Sequence, residues 1–486
     1  MLSDRDFDLE RQRLLRRAFL TRSGLGLGAT ALGLLAGASV TDADAANGTN
    51  DQAARRIAFP NHAPRAKRVI FLYMSGGPSQ FETFDFKPKL AELDGQPMSA
   101  SVTAGQPIAQ LQGAELNVLG PRFRFRRHGE SGQEIADILP RTAEIADRIC
   151  IVRSMTTDQI NHDPAHTVMN TGSSISGRPS IGSWVIYGLG SDSEELPGFV
   201  VMTSQGGRNP QPIASRQWGA GPLPGRFQGV ELRSQGEPLH YVRSPAGVAT
   251  SQQRRLIEAI GALDAARIES AEDGEAATRI AQYELAFRMQ SSVPALSDLS
   301  DESEATLREY GVERLDGSFA ANCLMARRLV ERGVRFVQLY HRGWDHHGDL
   351  VPYMEVCSRL CDGPAATLVR DLERRGLLDE TLIVWGGEFG RTPMFQGKGA
   401  QPGRDHHIRC FSMWLAGGGI RGGTTYGASD ELGYHAAENP VHVRDLHATM
   451  LHLLGIDHRR LTVRLQGLDW KLTGVEPARV IREWLA

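Results

Sequence analysis

The stretch RVIFLYMSGGPS, Arg68 to Ser79, is an almost unbroken apolar run halted by a Ser-Gly-Gly-Pro-Ser loop. A strand with one wet face alternates apolar and polar residues, whereas a strand covered on both faces is apolar throughout. The run therefore predicts a central strand that enters a tight loop. The same pattern recurs in RICIVRSM (148–155), PGFVVMTS (197–204), VRFVQLY (334–340) and TLIVW (381–385). Apolar residues at three- and four-residue intervals mark helices in QQRRLIEAIGALDAARI (252–268), ATRIAQYELAFRM (277–289), AANCLMARRLVERG (320–333) and AATLVRDLERRG (365–376). Strands alternating with helices predict an α/β fold, a mostly parallel central sheet with helices on both faces. The first two helices read as an insertion, about 250–315. A Gly/Pro-rich tract, about 204–245, reads as an irregular surface excursion or lid.

Each strand candidate hands over to a polar cluster. SGGPS follows VIFLYM, NHDPAH follows CIVRSM after a short loop, WDHHGD follows VRFVQLY, and GGEFGR follows TLIVW. In open α/β sheets ligands bind beyond the carboxyl ends of the strands, so separate loops converge on one site. Asp345 and His347, two apart, share a side in extended backbone, with a surface loop as the plain alternative. Glu388 ends a strand where an unpaired carboxylate is costly, so it should meet a metal or Arg391. GRDHH, 403–407, precedes the apolar CFSMWLAGGG and offers His406 or His407 as a nitrogen donor, an ordinary loop histidine being the alternative. Carboxylates with imidazoles suit zinc, manganese or iron better than calcium, so the expected cofactor is a divalent metal, zinc or manganese preferred.

In NHDPAHTVMNTG, 161–172, Asp163 suits a helix cap and Pro164 the first helical position, which puts His162 just outside a helix amino terminus. Such an end attracts anions, and His166 follows one turn later. The pair could grip a metal or an oxyanion; packing and capping is the other reading. Ser75 and Ser79 are rival nucleophiles, but their loop is not a GxSxG elbow and each needs a neighbouring base. Arg391 offers a guanidinium to clamp an oxyanion, or a partner for Glu388. Glu82 and Asp85 read as structural or solvated.

The chain of 486 residues is 41% hydrophobic with a formal net charge of −3, which excludes a disordered chain and a broadly basic nucleic-acid binder. Near the amino terminus, RRAFLTRSGLGLGATALGLLAGASV joins Arg16-Arg17 to a glycine-diluted apolar run that ends at Val40. This has the form of a twin-arginine export signal, residues 1–45, with Ala43–Ala45 as the cleavage site and a polar leader at 46–67. The run is shorter than the roughly 20 strongly apolar residues of a spanning helix, and no stable membrane anchor is expected after it. Export by that machinery predicts a periplasmic or secreted protein. Cys150, Cys323, Cys357, Cys361 and Cys410 are scattered and odd in number, and read as buried thiols.

The order of FLYMSGGPSQFETFDFKP, NHDPAHTVMNTG, GWDHHG, GGEFGRTP, GRDHHIRCFSMWLAGGGIRGG and VHVRDLHATMLHLLGI resembles the DUF1501 proteins, a sulfatase-like group of the alkaline phosphatase superfamily. The resemblance runs from about Arg68 to Ala486. It implies an alkaline-phosphatase-like domain over 68–486 and a site with two metals. His162 falls at the nucleophile position, while Asp345, His347 and His406 resemble the ligands of one metal. The other metal's half departs from the pattern: Ser75 stands where an aspartate is implied, and Glu388-Phe389 where an Asp-His pair is implied.

These readings combine into an expectation of an exported metal-dependent hydrolase of phosphate or sulfate esters, small or polymer-borne. His162, His166 and Arg391 are its expected catalytic residues, and Asp345, His347, His406, Glu388 and His162 its expected metal donors. The rival class is a non-catalytic binding or structural protein that retains the fold.

Overall fold

The computed structural model describes residues 59–235, 250–268, 274–397 and 401–486. The expected signal segment lies outside them. Successive side chains of the first strand, β1 (Arg68–Ser75), enter two different cores. Ile70, Leu72 and Met74 pack on one side of the sheet, and Val69, Phe71 and Tyr73 on the other. Period-two alternation thus survives as direction, with apolar residues on both faces. Each fully buried side chain of this kind contributes roughly 1.5–3 kcal/mol.

The central sheet has nine strands. After β1 come β2 (Ile149–Thr156), β3 (Phe199–Ser204), β4 (Val230–Leu232), β5 (Phe336–Arg342), β6 (Thr381–Gly386), β7 (Phe411–Ala416), β8 (Thr424–Tyr426) and β9 (Val441–His442). Their spatial order is β8-β2-β7-β6-β1-β5-β3-β4, with β9 also paired to β2. All pairings are parallel except those of β7, which runs against both β2 and β6. That reversal brings the start of β7 to the edge where β1, β2, β5 and β6 end. The GRDHH cluster, which precedes its strand, therefore reaches the same edge as the clusters that follow theirs.

Seven helices matter to the argument: α1 (His162–Thr171), α2 (Ile181–Leu189), α3 (Thr250–Ile268), α4 (Gly274–Ser297), α5 (Phe319–Glu331), α6 (Leu350–Arg374) and α7 (Val443–Leu453). Side-chain oxygens of Ser180 and Ser318 cap α2 and α5 by accepting from the Ser183 and Ala321 N–H groups. Leu324 and Leu329 of α5 pack with Met354, Leu368 and Leu372 of α6 in one core; Trp184 and Val185 of α2 pack with Leu446 and Met450 of α7 in the other. The end of α4 is no detached insertion, since Met289, Val293 and Leu296 join the first core. Nor is the Gly/Pro-rich tract wholly a surface excursion: Trp218 is buried, and residues 230–232 return as the edge strand β4. The last residues of the leader lie against the body, where Arg65 N donates to Leu453 O at 2.8 Å and Lys67 N to Glu380 O at 2.8 Å. Among the described residues no helix is long and apolar enough to cross a membrane.

Candidate metal centre

Loops from four strand ends and the first turn of α1 meet at one point. The β1 loop can press this closely only because it is glycine. At Gly76, φ is +119° and a Cβ would fall 2.5 Å from Asp345 N; at Gly77, φ is +74° and a Cβ would fall 2.6 Å from the Phe389 ring.

Three imidazoles converge there on one carboxylate oxygen. Asp345 Oδ1 lies 3.2 Å from His162 Nε2, 2.9 Å from His347 Nε2 and 3.3 Å from His406 Nε2. The opposite nitrogen of each ring faces an acceptor. His347 Nδ1 donates to Gln396 Oε1 at 2.6 Å, His406 Nδ1 to Ile160 O at 2.8 Å, and His162 Nδ1 to Glu388 Oε1 at 2.7 Å. An amide or backbone carbonyl oxygen can only accept, so Nδ1 of His347 and of His406 carries the proton. In the neutral rings Nε2 then keeps its lone pair. Gln110 reinforces this at His347: its Nε2 donates to the ring Nε2 at 3.2 Å, while its Oε1 accepts from Gln396 Nε2 at 3.0 Å.

This donor set fits a metal ion. A nitrogen or oxygen donor about 2.0–2.2 Å from zinc stands about 3.3–3.6 Å from its neighbours in a tetrahedron, somewhat wider than the 2.9, 3.2 and 3.3 Å observed here. His162 Nε2 is buried and has no hydrogen-bond partner among the described residues, although Asp345 Oδ1 stands 3.2 Å away. Histidines that bind metals present one nitrogen inward and donate from the other to a carbonyl or carboxylate, the pattern seen here three times. Asp345, His162, His347 and His406 could thus hold an ion. His162, His166 and Glu388 form a second close group, with one donor atom from each within 4.8 Å of the others.

Electrostatics keep the carboxylates ionised. Burial opposes charge on Asp345, but the Arg391 guanidinium at 2.7 Å prevails and holds its carboxyl well below the usual range. At the fully buried Glu388 desolvation is likewise overcome, by His166 and His162, and the carboxyl is lowered. Burial pushes His406 down to about 4. It also lowers His162, but there the neighbouring carboxylates of Asp345 and Glu388 prevail and the ring is raised. His162 and His347 keep 15% and 22% of their side chains exposed, so the centre opens to solvent on their side.

Other expected residues are placed differently. α1 starts at His162 with Asn161 as its cap, not with Asp163, and Asp163 pairs instead with Arg216 of the Gly/Pro-rich tract. His166 does lie one turn on, its ring centroid 5.9 Å from that of His162. Arg391, expected to clamp an oxyanion or pair with Glu388, is buried and pairs with Asp345 Oδ1 at 2.7 Å. Its remaining donors go to the carbonyls of Gly76, Gly77 and Arg404, tying three loops together. Ser79 donates to Glu82, which forms a fully buried pair with Arg404. Ser75 Oγ lies 3.4 Å from His166 Nε2, whose Nδ1 faces Tyr73 Oη at 2.8 Å. His407, the other candidate of its pair, turns away to donate to Tyr434 O. All five cysteines are free and buried. Sequence reasoning missed Gln396, Gln110, Tyr73 and also Gln211, whose Nε2 donates to Asp345 Oδ2 at 2.6 Å. None belongs to a pattern of spacing that could have revealed it.

A family model described as "Protein of unknown function (DUF1501)" matches residues 66–485. No curated protein sequence matches the chain. Solved structures similar to it include a protein in the alkaline phosphatase superfamily from Vibrio parahaemolyticus, with 10% identity over 83% of this chain and 70% of that one and a TM-score of 0.35. The PsFucS1 sulfatase from Pseudoalteromonas sp. has 12% identity over 84% and 72%, with a TM-score of 0.33. The phosphonate monoester hydrolase SpPMH from Silicibacter pomeroyi has 11% identity over 86% and 76%, with a TM-score of 0.32.

Proposed function

The chain belongs to the DUF1501 family, and from the centre built above we propose that it is an exported, metal-dependent hydrolase of phosphate or sulfate esters. The observation that carries this reading is the convergence of three imidazole nitrogens on Asp345 Oδ1, each ring held from behind by an acceptor. A bound zinc or manganese would polarise an ester oxygen and lower the pKa of a water molecule.

The chain's own groups favour a tetrahedral anion as the occupant. The side chain of Asn161, the cap residue of α1, accepts no hydrogen bond from the first turn of the helix. Such an end attracts phosphate or sulfate through its first N–H groups and the helix dipole. Arg391 serves as a positioning residue that fixes Asp345 and the β1 loop. The small or polymer-borne ester, the twin-arginine route and a periplasmic or secreted location belong to the same proposal, on the strength of Arg16-Arg17 and the apolar run behind them.

One observation favours the rival, a binding protein on the same fold. The buried His166 has the Tyr73 hydroxyl 2.8 Å from Nδ1 and Ser75 Oγ 3.4 Å from Nε2. At 3.4 Å the contact is longer than the reach of about 2.6–3.2 Å that a nucleophile and its base share, so Ser75 lacks a closely held base. The two readings part on one assay of the purified mature protein with 4-nitrophenyl phosphate and 4-nitrophenyl sulfate. The hydrolase reading predicts turnover of at least one ester, lost on chelation and restored by zinc or manganese. If metal-loaded protein turns over neither, the binding reading stands in its place.

A further inference from the structure

The second group of donors raises the question of how many ions the centre takes. We infer that it takes one, and that Glu388 serves that ion from outside as the acceptor that orients His162. The inference rests on the metal-centred reading above and specifies it.

Three observations carry it. First, the donors a second ion would need are already engaged. Glu388 Oε1 accepts from His162 Nδ1 at 2.7 Å and from Gly76 N at 3.0 Å, and Oε2 accepts from Gly76 N at 3.2 Å. His166 Nδ1 is hydrogen-bonded to the Tyr73 hydroxyl at 2.8 Å, and its Nε2 faces Ser75 Oγ at 3.4 Å. Second, Phe389 fills the adjoining space. Its buried ring centroid lies 4.5 Å from that of His406 and 5.0 Å from that of His162, so the wall there is apolar and offers no donor. Third, His162 cannot serve two ions while its Nδ1 donates to Glu388. With that hydrogen bond kept, Nε2 is the nitrogen left for the group around Asp345, where it already lies without a partner. A carboxylate behind a ligating imidazole fixes its tautomer and raises its basicity, and losing such a partner typically weakens metal binding about 10–100-fold.

The test uses the full mature chain, stripped and titrated with zinc, and separately with cobalt(II) as a spectroscopic probe. One ion per chain is expected for the wild type, with a cobalt spectrum of four-coordinate intensity. Glu388→Gln should also bind one ion, about 10–100-fold more weakly, and Glu388→Asp should recover part of the loss. Two ions per wild-type chain would overturn the inference and leave the hydrolase reading standing; no ion at all would overturn both. A Glu388→Gln chain whose metal-free form is less stable but whose affinity is unchanged would make Glu388 merely structural, which also overturns it. Should that variant fail to fold, the wild-type stoichiometry still decides the matter.

Discussion

His162 stands with Nδ1 2.7 Å from Glu388 Oε1, so one imidazole at the start of α1 is tied to a carboxylate 226 positions away at the end of β6. Its other nitrogen stands 3.2 Å from Asp345, beyond β5. Three segments distant in sequence are thus joined through one ring, and the ring's orientation governs what the centre can bind.

Asp345 carries two duties that substitution can separate. It supplies the oxygen on which the histidines converge, and it neutralises the buried Arg391 at 2.7 Å. Asp345→Ala should abolish metal binding and also destabilise the metal-free protein by about 3–5 kcal/mol, because a buried guanidinium loses its counter-charge. Asp345→Ser and Asp345→Asn should bind metal no better, yet Asn, which keeps an acceptor oxygen, should be the most stable of the three. Urea unfolding of the metal-free proteins checks this; equal stability of the Ala and Asn variants would contradict it.

Behind His406 lies a second ion pair, between Arg404 and Glu82. Both side chains are fully buried, with Nη2 to Oε1 at 2.8 Å and Nε to Oε2 at 3.0 Å. The pair anchors the strand of chain that presents His406. Arg404→Met alone should cost about 3–5 kcal/mol, since it strands a buried carboxylate. Combined with Glu82→Gln, much of that loss should return. A double variant no more stable than the single one would show that the pair is not the anchor.

Acid should weaken the fold through histidines remote from the centre. His447 is buried, donates from Nε2 to Met169 O at 2.8 Å, and is pushed by burial from 6.5 down to about 4. The unfolded chain therefore binds the extra proton first, so this residue's contribution is complete above about pH 6.5 and is lost as pH falls toward 4. The unfolding midpoint should drop across that window, and His447→Gln, which retains a donor but does not titrate, should show a shallower drop. Parallel profiles for the two proteins would exclude the assignment.

Much of the architecture was legible in the sequence because the strands are covered on both faces, which leaves runs such as RVIFLYM without polar interruption. The same property hid the reversal of β7, since a run apolar on both faces reads alike in either direction. Strands β4, β8 and β9, two or three residues each, are too short to show a period. The start of α1 was misplaced because Asp163 has the chemistry of a cap but meets Arg216, a partner supplied by distant chain. At the centre, His162, Asp345, His347, His406 and Glu388 stood out as donor types at strand ends. The acceptors that orient the rings did not: Gln396 and the Ile160 carbonyl act by position, which spacing does not encode. Arg391 lies three residues from Glu388 yet pairs across to Asp345, a partner that spacing along the chain does not reveal.

Export is tested apart from the fold. Changing Arg16 and Arg17 together to Lys keeps the charge and removes the motif. Because such a signal is read by a receptor rather than by bulk charge, precursor should accumulate in the cytoplasm. Undiminished periplasmic yield from the double variant would exclude this route.

The central claim, a metal-centred ester hydrolase with His162 as a ligand, is met most directly by measuring metal content and ester turnover together in wild type and His162→Ala. The account predicts bound metal and chelator-sensitive turnover in the wild type, and a joint fall of both in the variant with the fold retained. A variant that keeps full metal and full activity would contradict it, reducing His162 to a residue that packs the first turn of α1.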